Sequence, residues 1–548
     1  MGGTGVRLAL VLISAWLLAA AILLAPATLK ITGHEGDLIH TLDLVFRMAT
    51  GDAPHRDVMS PLGVLTIWPI ALFVEAGFGP GRAIRLAEAM VALVMLPMIW
   101  WAAWSRLSGA LAYVLGIGLI LLVTALVFGG TVPSSSVSMY YNRWAWALAA
   151  LMIVVLVVPE RVARSAAADG LLLGAVVAAL VLIKVTYVIA LAPCGLVALL
   201  HDRRGRVFLW ALLSLCVCLA LATLAFGGVE FWRGYLLDLL ITAQSPLRPQ
   251  PGETLGNLLG KPAFFPGTIL CLLTIIFWRK TGREREGLLL LLLAPGFVYI
   301  TYQNWGNDPK WLAVLAILLI ALPNPEGAKA FWRVPARSFG LGLSVAALAM
   351  IAPSLINIGS SSIRHALIED ERFAPVFGDL SRADILVRID VHRAPRTRST
   401  MTGILFAEDR SAEDGEGEDD GPKVTMLNGE VLPDCAVETG LVGVHRQMAL
   451  QLGAVEEAVG KVVLDADLLD SLWLFGPFER MAGGAPWYYG GTPGFDGADY
   501  VLVPLCPLSE SGRRVKLEEI SELGWELEEV LRTDLFILTR RVRTGPDS

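Results

Sequence analysis

Charge is scarce in this chain. Asp, Glu, Lys and Arg make up 17% of its 548 residues, while 55% are hydrophobic; a soluble globular domain carries about 25% charged residues. The shortage is also uneven. Residues 358–548 hold 34 acids and 19 bases, a net of −15, and the first 357 residues hold 17 acids and 25 bases, a net of +8. Two solvents therefore act on two parts of one chain. The acidic part lacks the basic footprint that nucleic-acid binding needs, which excludes that class of partner. Cysteine is scarce too, with six residues, and none has the spacing of a zinc site. Cys194, Cys216, Cys218 and Cys271 lie in apolar runs and read as small buried hydrophobes. Cys435 and Cys506 lie in the acidic tail, where an oxidising compartment would let them form one disulfide. Spacing alone does not decide whether their geometry permits it. The tail contains no G-x-G-x-x-G, Walker A, G-x-S-x-G or H-E-x-x-H pattern, so it offers none of the chemistry those motifs carry.

What is abundant is apolar sequence. A membrane span needs about 20 mostly apolar residues. Candidates are 6–26, 61–78, 84–104, 109–128, 143–159, 167–183, 185–200, 207–227, 263–278, 287–303, 311–323 and 339–357. Several are short, which points to tilted or broken helices. The first, with a lone Arg7 at its start, resembles a signal peptide, but the run is long and no Ala-x-Ala site follows, so it is read as a retained span. The chain is thus expected to be an α-helical polytopic membrane protein with about 12–13 spans over residues 1–357. A soluble α/β or α+β domain should follow over 358–548.

Short basic loops mark the cytoplasmic side. They are Arg161/Arg164, the stretch His201–Arg206, the stretch Trp278–Arg285, and Lys329/Arg333/Arg337. With the last of these inside, span 339–357 runs outward and the tail is extracytoplasmic, periplasmic in a bacterial inner membrane. Loops 27–60, 129–142, 228–262 and 304–310 share that side. Twelve spans would then put the N-terminus outside as well, in conflict with an external acidic loop 27–60. An odd number resolves the conflict, and a thirteenth crossing is expected between 61 and 142.

In the tail, 408–422 is a run of acids and glycines expected to be disordered. Helix-like patterns cover 440–458 and 516–523, and strand-like patterns cover 461–465, 470–475, 500–504 and 525–541. Trp487-Tyr488-Tyr489 is a cluster of the kind that stacks on a sugar, although such clusters more often anchor a core or a loop.

Chemistry concentrates in the first external loop. Three of the seven histidines (His34, His40, His55) lie there with Glu35, Asp37, Asp43, Asp52 and Asp57. Leu38, Leu42, Val45, Phe46 and Ala49 recur with helical period, which predicts an amphipathic helix over 37–50 on the membrane surface. His40 shares a face with Asp37. A partly desolvated carboxylate at the membrane boundary suits a general base; the plainer alternative is a solvated loop with Asp37 as a helix N-cap. Cations on the external side run against the positive-inside bias and call for an anionic partner such as a lipid phosphate. Lys184, between two apolar runs, and Arg143 are the main candidates. Asn304, Asp308 and Lys310 stand in a third polar turn, and Arg248 and Lys261 read as ordinary snorkelling side chains.

The loop resembles one in the GT-C-fold glycosyltransferases, polytopic enzymes such as the protein O-mannosyltransferases and the aminoarabinose and arabinofuranosyl transferases. The residues that carry the likeness are an acid just after span one, an amphipathic helix, then Gly51-Asp-Ala-Pro-His-Arg-Asp57 and Ser60-Pro-Leu-Gly63, together with Leu182-Ile-Lys-Val-Thr-Tyr187. In layout it covers residues 6 to about 360, and in motif some 40 residues. The resemblance implies a polyprenyl-phosphate sugar donor and an extracytoplasmic glycan, lipid or protein acceptor. It implies Asp37 as the base, with Glu35 as its rival because many relatives carry an Asp-Glu pair here, and Asp57 as the second acidic position. His40 and His55 would join Arg143, Lys184, Asn304, Asp308 and Lys310 in binding substrate. Some members need a metal and others do not; Asp37, His40 and Asp57 are of the residue types that would serve a divalent ion. The competing classes are a transporter or flippase for a lipid-linked or anionic substrate, and a non-catalytic envelope assembly protein.

Overall fold

A computed structural model describes residues 3–162, 165–202, 204–248, 252, 254–261, 263–303, 306–322, 324, 327–388, 396–397 and 424–543. The acidic run 408–422 and Asn304 lie outside the described residues.

In chain order the helices up to residue 366 are α1 (Gly3–Leu24), α2 (Glu35–Ala49), α3 (Trp68–Glu75), α4 (Pro80–Arg106), α5 (Ala110–Val123), α6 (Tyr140–Val157), α7 (Ala166–Ile183), α8 (Val185–His201), α9 (Gly205–Ala225), α10 (Val229–Gln244), α11 (Leu255–Gly260), α12 (Phe265–Lys280), α13 (Glu284–Tyr302), α14 (Trp311–Ala321) and α15 (Ala336–Ala366). Seven of them (α1, α4, α6, α7, α9, α13 and α15) are long and apolar enough to cross a bilayer, and α5, α8 and α14 are shorter apolar helices. The chain is a multi-pass helical membrane protein. A helix satisfies its own backbone groups, which is why apolar runs in lipid take this form. Pro97, Pro193, Pro295 and Pro353 lie inside α4, α8, α13 and α15, where each removes one backbone hydrogen bond.

The region 61–142 differs from expectation. It contains α3, α4 and α5 and no further helix among the described residues. At about 1.5 Å per residue, the eight residues of α3 fall well short of the roughly 30 Å hydrocarbon core. Pro69 and the turn Gly77-Phe78-Gly79 bound it. The thirteenth crossing expected between 61 and 142 is therefore not found among the described residues, and the expected span 61–78 is represented by the short α3.

The chain forms two compact units. One comprises Met1–Leu29, Leu62–Ala225 and Pro249–Ile368; the other comprises Lys30–Pro61, Phe226–Arg248 and Glu369–Ser548. In the first unit, helices approach closely where they carry glycine. A Cβ on Gly174 of α7 would lie 2.2 Å from the Ala211 carbonyl oxygen of α9, and one on Gly170 would lie 2.4 Å from Trp210 Cβ. Gly170 and Gly174 thus form a small-residue seam of the kind that draws membrane helices together.

The second unit carries the sheets. Its strands are β1 (Leu29–Ile31), β2 (Phe373–Pro375), β3 (Ile385–Arg388), β4 (Arg396–Thr397), β5 (Met426–Leu427), β6 (Glu430–Val431), β7 (Val437–Thr439), β8 (Val463–Asp465), β9 (Tyr500–Pro504), β10 (Trp525–Arg532) and β11 (Phe536–Arg543), with helices α16 (Leu441–Gly453) and α17 (Glu510–Glu522). The main sheet has the order β10-β11-β9-β8, antiparallel except for the parallel pair β8/β9. Leu464, Val501, Val503 and Ile537 of this sheet share a core with Leu517 and Ile520 of α17. Ser509 caps α17 by accepting from Gly512 N. A second sheet runs β1-β3-β2. The expected strand over 470–475 is instead a 3-10 turn, Leu472–Leu474, closed by Leu474 N donating to Ser471 O. Cys435 and Cys506 form a disulfide.

Candidate functional site

In the sheet-containing unit the candidates gather on and around α2. This helix does not lie with one face open to lipid. Ten consecutive residues, Leu38 to Arg47, are buried. Phe46 packs edge-on to Phe377 with the Arg382 guanidinium 4.4 Å above its ring. Arg47 pairs with Asp43 at 2.6 Å and donates to the Met481 carbonyl at 2.8 Å, and Trp473 Nε1 donates to Asp43 at 2.6 Å. The apolar stripe read from the sequence is real, but residues of the tail cover it. Asp43 and Arg47, between its apolar positions, are buried with it as partners of each other, of Trp473 and of the Met481 carbonyl.

The loop acids have distinct surroundings. Glu35 accepts from Val442 N at 2.7 Å, at the N-terminus of α16, where a carboxylate satisfies an otherwise unpaired helix amide. Burial raises its pKa, and the Val442 and Leu441 amides oppose that rise. Asp57 caps Ala53 N and pairs with Arg56; the Arg56 hydrogen bond holds its carboxyl below the usual range. Asp52 faces Arg480 and Arg47 at 3.3 and 3.6 Å. Asp37 stands in the first turn of α2, half-buried. It is an electrostatic neighbour of two groups: it opposes the lowering of His34 by burial, and it adds to the raising of Tyr489 by burial, which Arg248 opposes. A Cβ on Gly36, the residue before Asp37, would lie 3.7 Å from the Trp487 ring, which places the first turn of α2 against the start of the Trp487–Tyr489 cluster.

The histidines serve differently from expectation. His40 is buried against Trp487, with ring centroids 5.6 Å apart, and burial pushes its pKa down to about 4. It is neutral near pH 7 and brings no positive charge to a phosphate. His55 is buried between Phe231 and Tyr235, and its Nδ1 lies 2.8 Å from Asp238, which also accepts from Ser60 N. That arrangement fastens the loop to α10 and leaves the ring little room to meet a ligand. Asp37, His40 and Asp57 do not assemble a cation site: among the described residues no three His, Cys, Asp or Glu side chains are placed to hold a metal.

The same unit has a cavity of about 350 Å³ between the end of α10 and the turn 489–493. Gly490 and Gly491 adopt φ of 117° and 73°, and Glu519 of α17 accepts from Gly491 N and from the Tyr488 hydroxyl. The Trp487–Tyr489 cluster is thus partly anchor and partly wall. Tyr488 is buried, with Lys516 Nζ 4.4 Å above its ring, whereas Trp487 and Tyr489 are half-buried.

In the membrane unit, Lys184 Nζ donates to Asn142 Oδ1 at 3.1 Å and lies 5.4 Å above the Tyr141 ring. Asn142 in turn donates to Asn307 at 2.8 Å. Asp308 pairs with Lys310 and accepts from Ser354 of α15. Arg143 is fully buried, pairs with Glu88 of α4 at 2.8 Å and caps the Leu122 and Val123 carbonyls. Its anionic partner is internal and was visible in the sequence as an ionisable residue inside a span. Asn142, Asn307 and Ser354 carry no comparable signal, since neutral polar residues in external turns are commonplace. This unit has a cavity of about 590 Å³, walled by apolar side chains of α12, α13 and α14, including Leu272, Phe297 and Trp311, together with Tyr302 and Gln303.

No known protein-family profile matches the sequence, and no curated protein matches it. Among solved structures, the crystal structure of ArnT from Cupriavidus metallidurans in the apo state is similar over 98% of both chains, with a TM-score of 0.37 and 12% identity. A superposition that loose does not by itself establish a common fold.

Proposed function

We propose that the chain is a membrane glycosyltransferase that moves a sugar from a polyprenyl-phosphate donor to an acceptor hydroxyl outside the cytoplasm, with Asp37 as general base. The observation that carries this reading is the setting of Asp37, a half-buried carboxylate in the first turn of α2, where a Cβ on the preceding Gly36 would lie 3.7 Å from the Trp487 ring. Glu35, its rival, holds the N-terminus of α16, and Asp57 holds Ala53 N and Arg56.

The reaction is a single displacement. Asp37 takes the proton of the acceptor hydroxyl, whose oxygen attacks the anomeric carbon of the donor. The bond from that carbon to the phosphate oxygen breaks, the configuration inverts, and polyprenyl phosphate leaves with the electron pair. Negative charge develops on the departing phosphate, where a cation would stabilise it.

The test is sugar transfer from a radiolabelled polyprenyl-phosphate sugar, with the purified chain in nanodiscs and an envelope extract as acceptor. Asp37→Asn lowers the rate by about 100-fold or more, in the range expected for losing a positioned base, and Glu35→Gln leaves it within about threefold. Transfer at the wild-type rate by Asp37→Asn overturns the assignment. Uptake of the lipid-linked sugar into proteoliposomes with no covalent product replaces the enzyme by a carrier.

A further inference from the structure

The proton transfer proposed above makes no use of the 350 Å³ cavity of the sheet-containing unit. That volume lies at the lower end of the range for small-molecule sites. One lip is the end of α10, with Gln244, Ser245 and Pro246; the other is the turn from Tyr489 to Pro493; and Glu519 of α17 closes the back. The lips nearly meet, since a Cβ on Gly490 would lie 3.6 Å from Pro246 Cδ. The turn is held in place rather than loose. Its two positive-φ glycines adopt a backbone that side chains disfavour, and Glu519 ties both Gly491 N and the Tyr488 hydroxyl to α17. Walls fixed in advance lower the entropy lost on binding.

The lining selects the ligand class. It offers a half-buried tyrosine, two hydroxyls (Ser245 and Thr492), an amide (Gln244) and one carboxylate, and among the described residues it contains no Lys, Arg or His. An anionic group would meet the carboxylate of Glu519 in the wall itself. A purely apolar ligand would offer no hydrogen bond to the Gln244 amide or the Thr492 hydroxyl. A polyol with one apolar ring face matches both the aromatic wall and the polar rim. A Cβ on Gly36 would lie 3.7 Å from Trp487, two residues before Tyr489, so the chain entering the turn packs against the first turn of α2, which carries Asp37.

We infer that this cavity binds a neutral sugar residue of the acceptor, which makes the acceptor a glycan or glycolipid. The name acceptor rests on the glycosyltransferase reading; the sugar site itself does not. The experiment is saturation-transfer NMR on the full chain in nanodiscs, with the methyl glycosides of glucose, galactose, mannose, arabinose and N-acetylglucosamine as probes. At least one glycoside receives saturation at its ring protons. Ser245→Trp and Thr492→Trp fill the cavity from opposite lips, and each reduces that signal about tenfold, the equivalent of one good ring contact. An unchanged melting temperature shows that a variant is folded. Asp37→Asn keeps the signal while losing transfer, so failure of the base assignment and failure of the sugar site are read separately. Absence of saturation with every glycoside, or a wild-type signal in a folded Trp variant, overturns the inference.

Discussion

Glu35 and Asp37 stand two residues apart and meet different surroundings. Glu35 accepts a hydrogen bond from the first turn of α16, so its worth is structural. Glu35→Gln removes a charge from a helix N-terminus and should cost about 1 kcal/mol of stability, measured as a drop in melting temperature of the purified chain. His40 and His445 set a pH dependence. Both are buried, and burial pushes both to about 4 from the ordinary 6.5. The folded state resists protonation that the unfolded state accepts. Their contribution is therefore fully present above about 6.5 and is lost as the pH falls toward 4, by about 3 kcal/mol for each histidine at most. The double variant His40→Gln/His445→Gln removes this loss. The difference in melting temperature between wild type and variant should shift steadily in favour of the variant from pH 7 to pH 4.5, and a difference independent of pH refutes the burial of both rings.

Between elements, the backbone approaches that matter are made at glycine. Gly234 of α10 sits against the loop that follows α2: a Cβ there would lie 1.8 Å from the His55 carbonyl oxygen. Backbone cannot yield as a side-chain tip can, so Gly234→Ala should cost on the order of 2 kcal/mol and loosen the His55–Asp238 contact. Faster amide hydrogen exchange over 53–60 in the variant checks this. In the membrane unit, Gly174→Leu places a side chain where the Ala211 carbonyl oxygen lies 2.2 Å from the ideal Cβ position. It should drive α7 from α9 and lower the detergent melting temperature by several degrees, whereas Gly118→Leu, with nothing within 4 Å of its Cβ position, should not.

For the molecule as a whole, the disulfide joins two segments of the tail that are 71 residues apart. Closing a loop of that length restricts the unfolded chain by about 4 kcal/mol. Alkylation after denaturation should modify four cysteines without reductant and six with it. Reduction should also lower the melting temperature of the sheet-containing unit. Six modified cysteines without reductant, in protein isolated from its native membrane, place the tail in a reducing compartment and contradict the orientation read from the basic loops. The unit that carries this disulfide is assembled from three separate stretches, 30–61, 226–248 and 369–548, so an isolated tail lacks α2 and α10 and should fail to give a cooperative melting transition.

Much of this was legible in the amino-acid order, because helix formation in lipid and strand formation around an apolar core depend on local hydrophobicity and period. Most of the apolar spans, the main strands of the tail, α16, α17 and the segment of α2 all follow from it. What tertiary structure alone decided is which surface covers an apolar stripe and which partner satisfies a charge. The stripe of α2 reads equally as a membrane face or a protein face, and residues of the tail, Phe377, Trp473 and Met481 among them, decide it. Arg143 reads as a cation awaiting a phosphate until Glu88, 55 residues away, neutralises it. Glu35 and Asp37 are rivals by position in the first loop, and the amide of Val442 that engages Glu35 lies far away in the chain. Such assignments depend on contacts between residues far apart in the chain, and no local pattern records them.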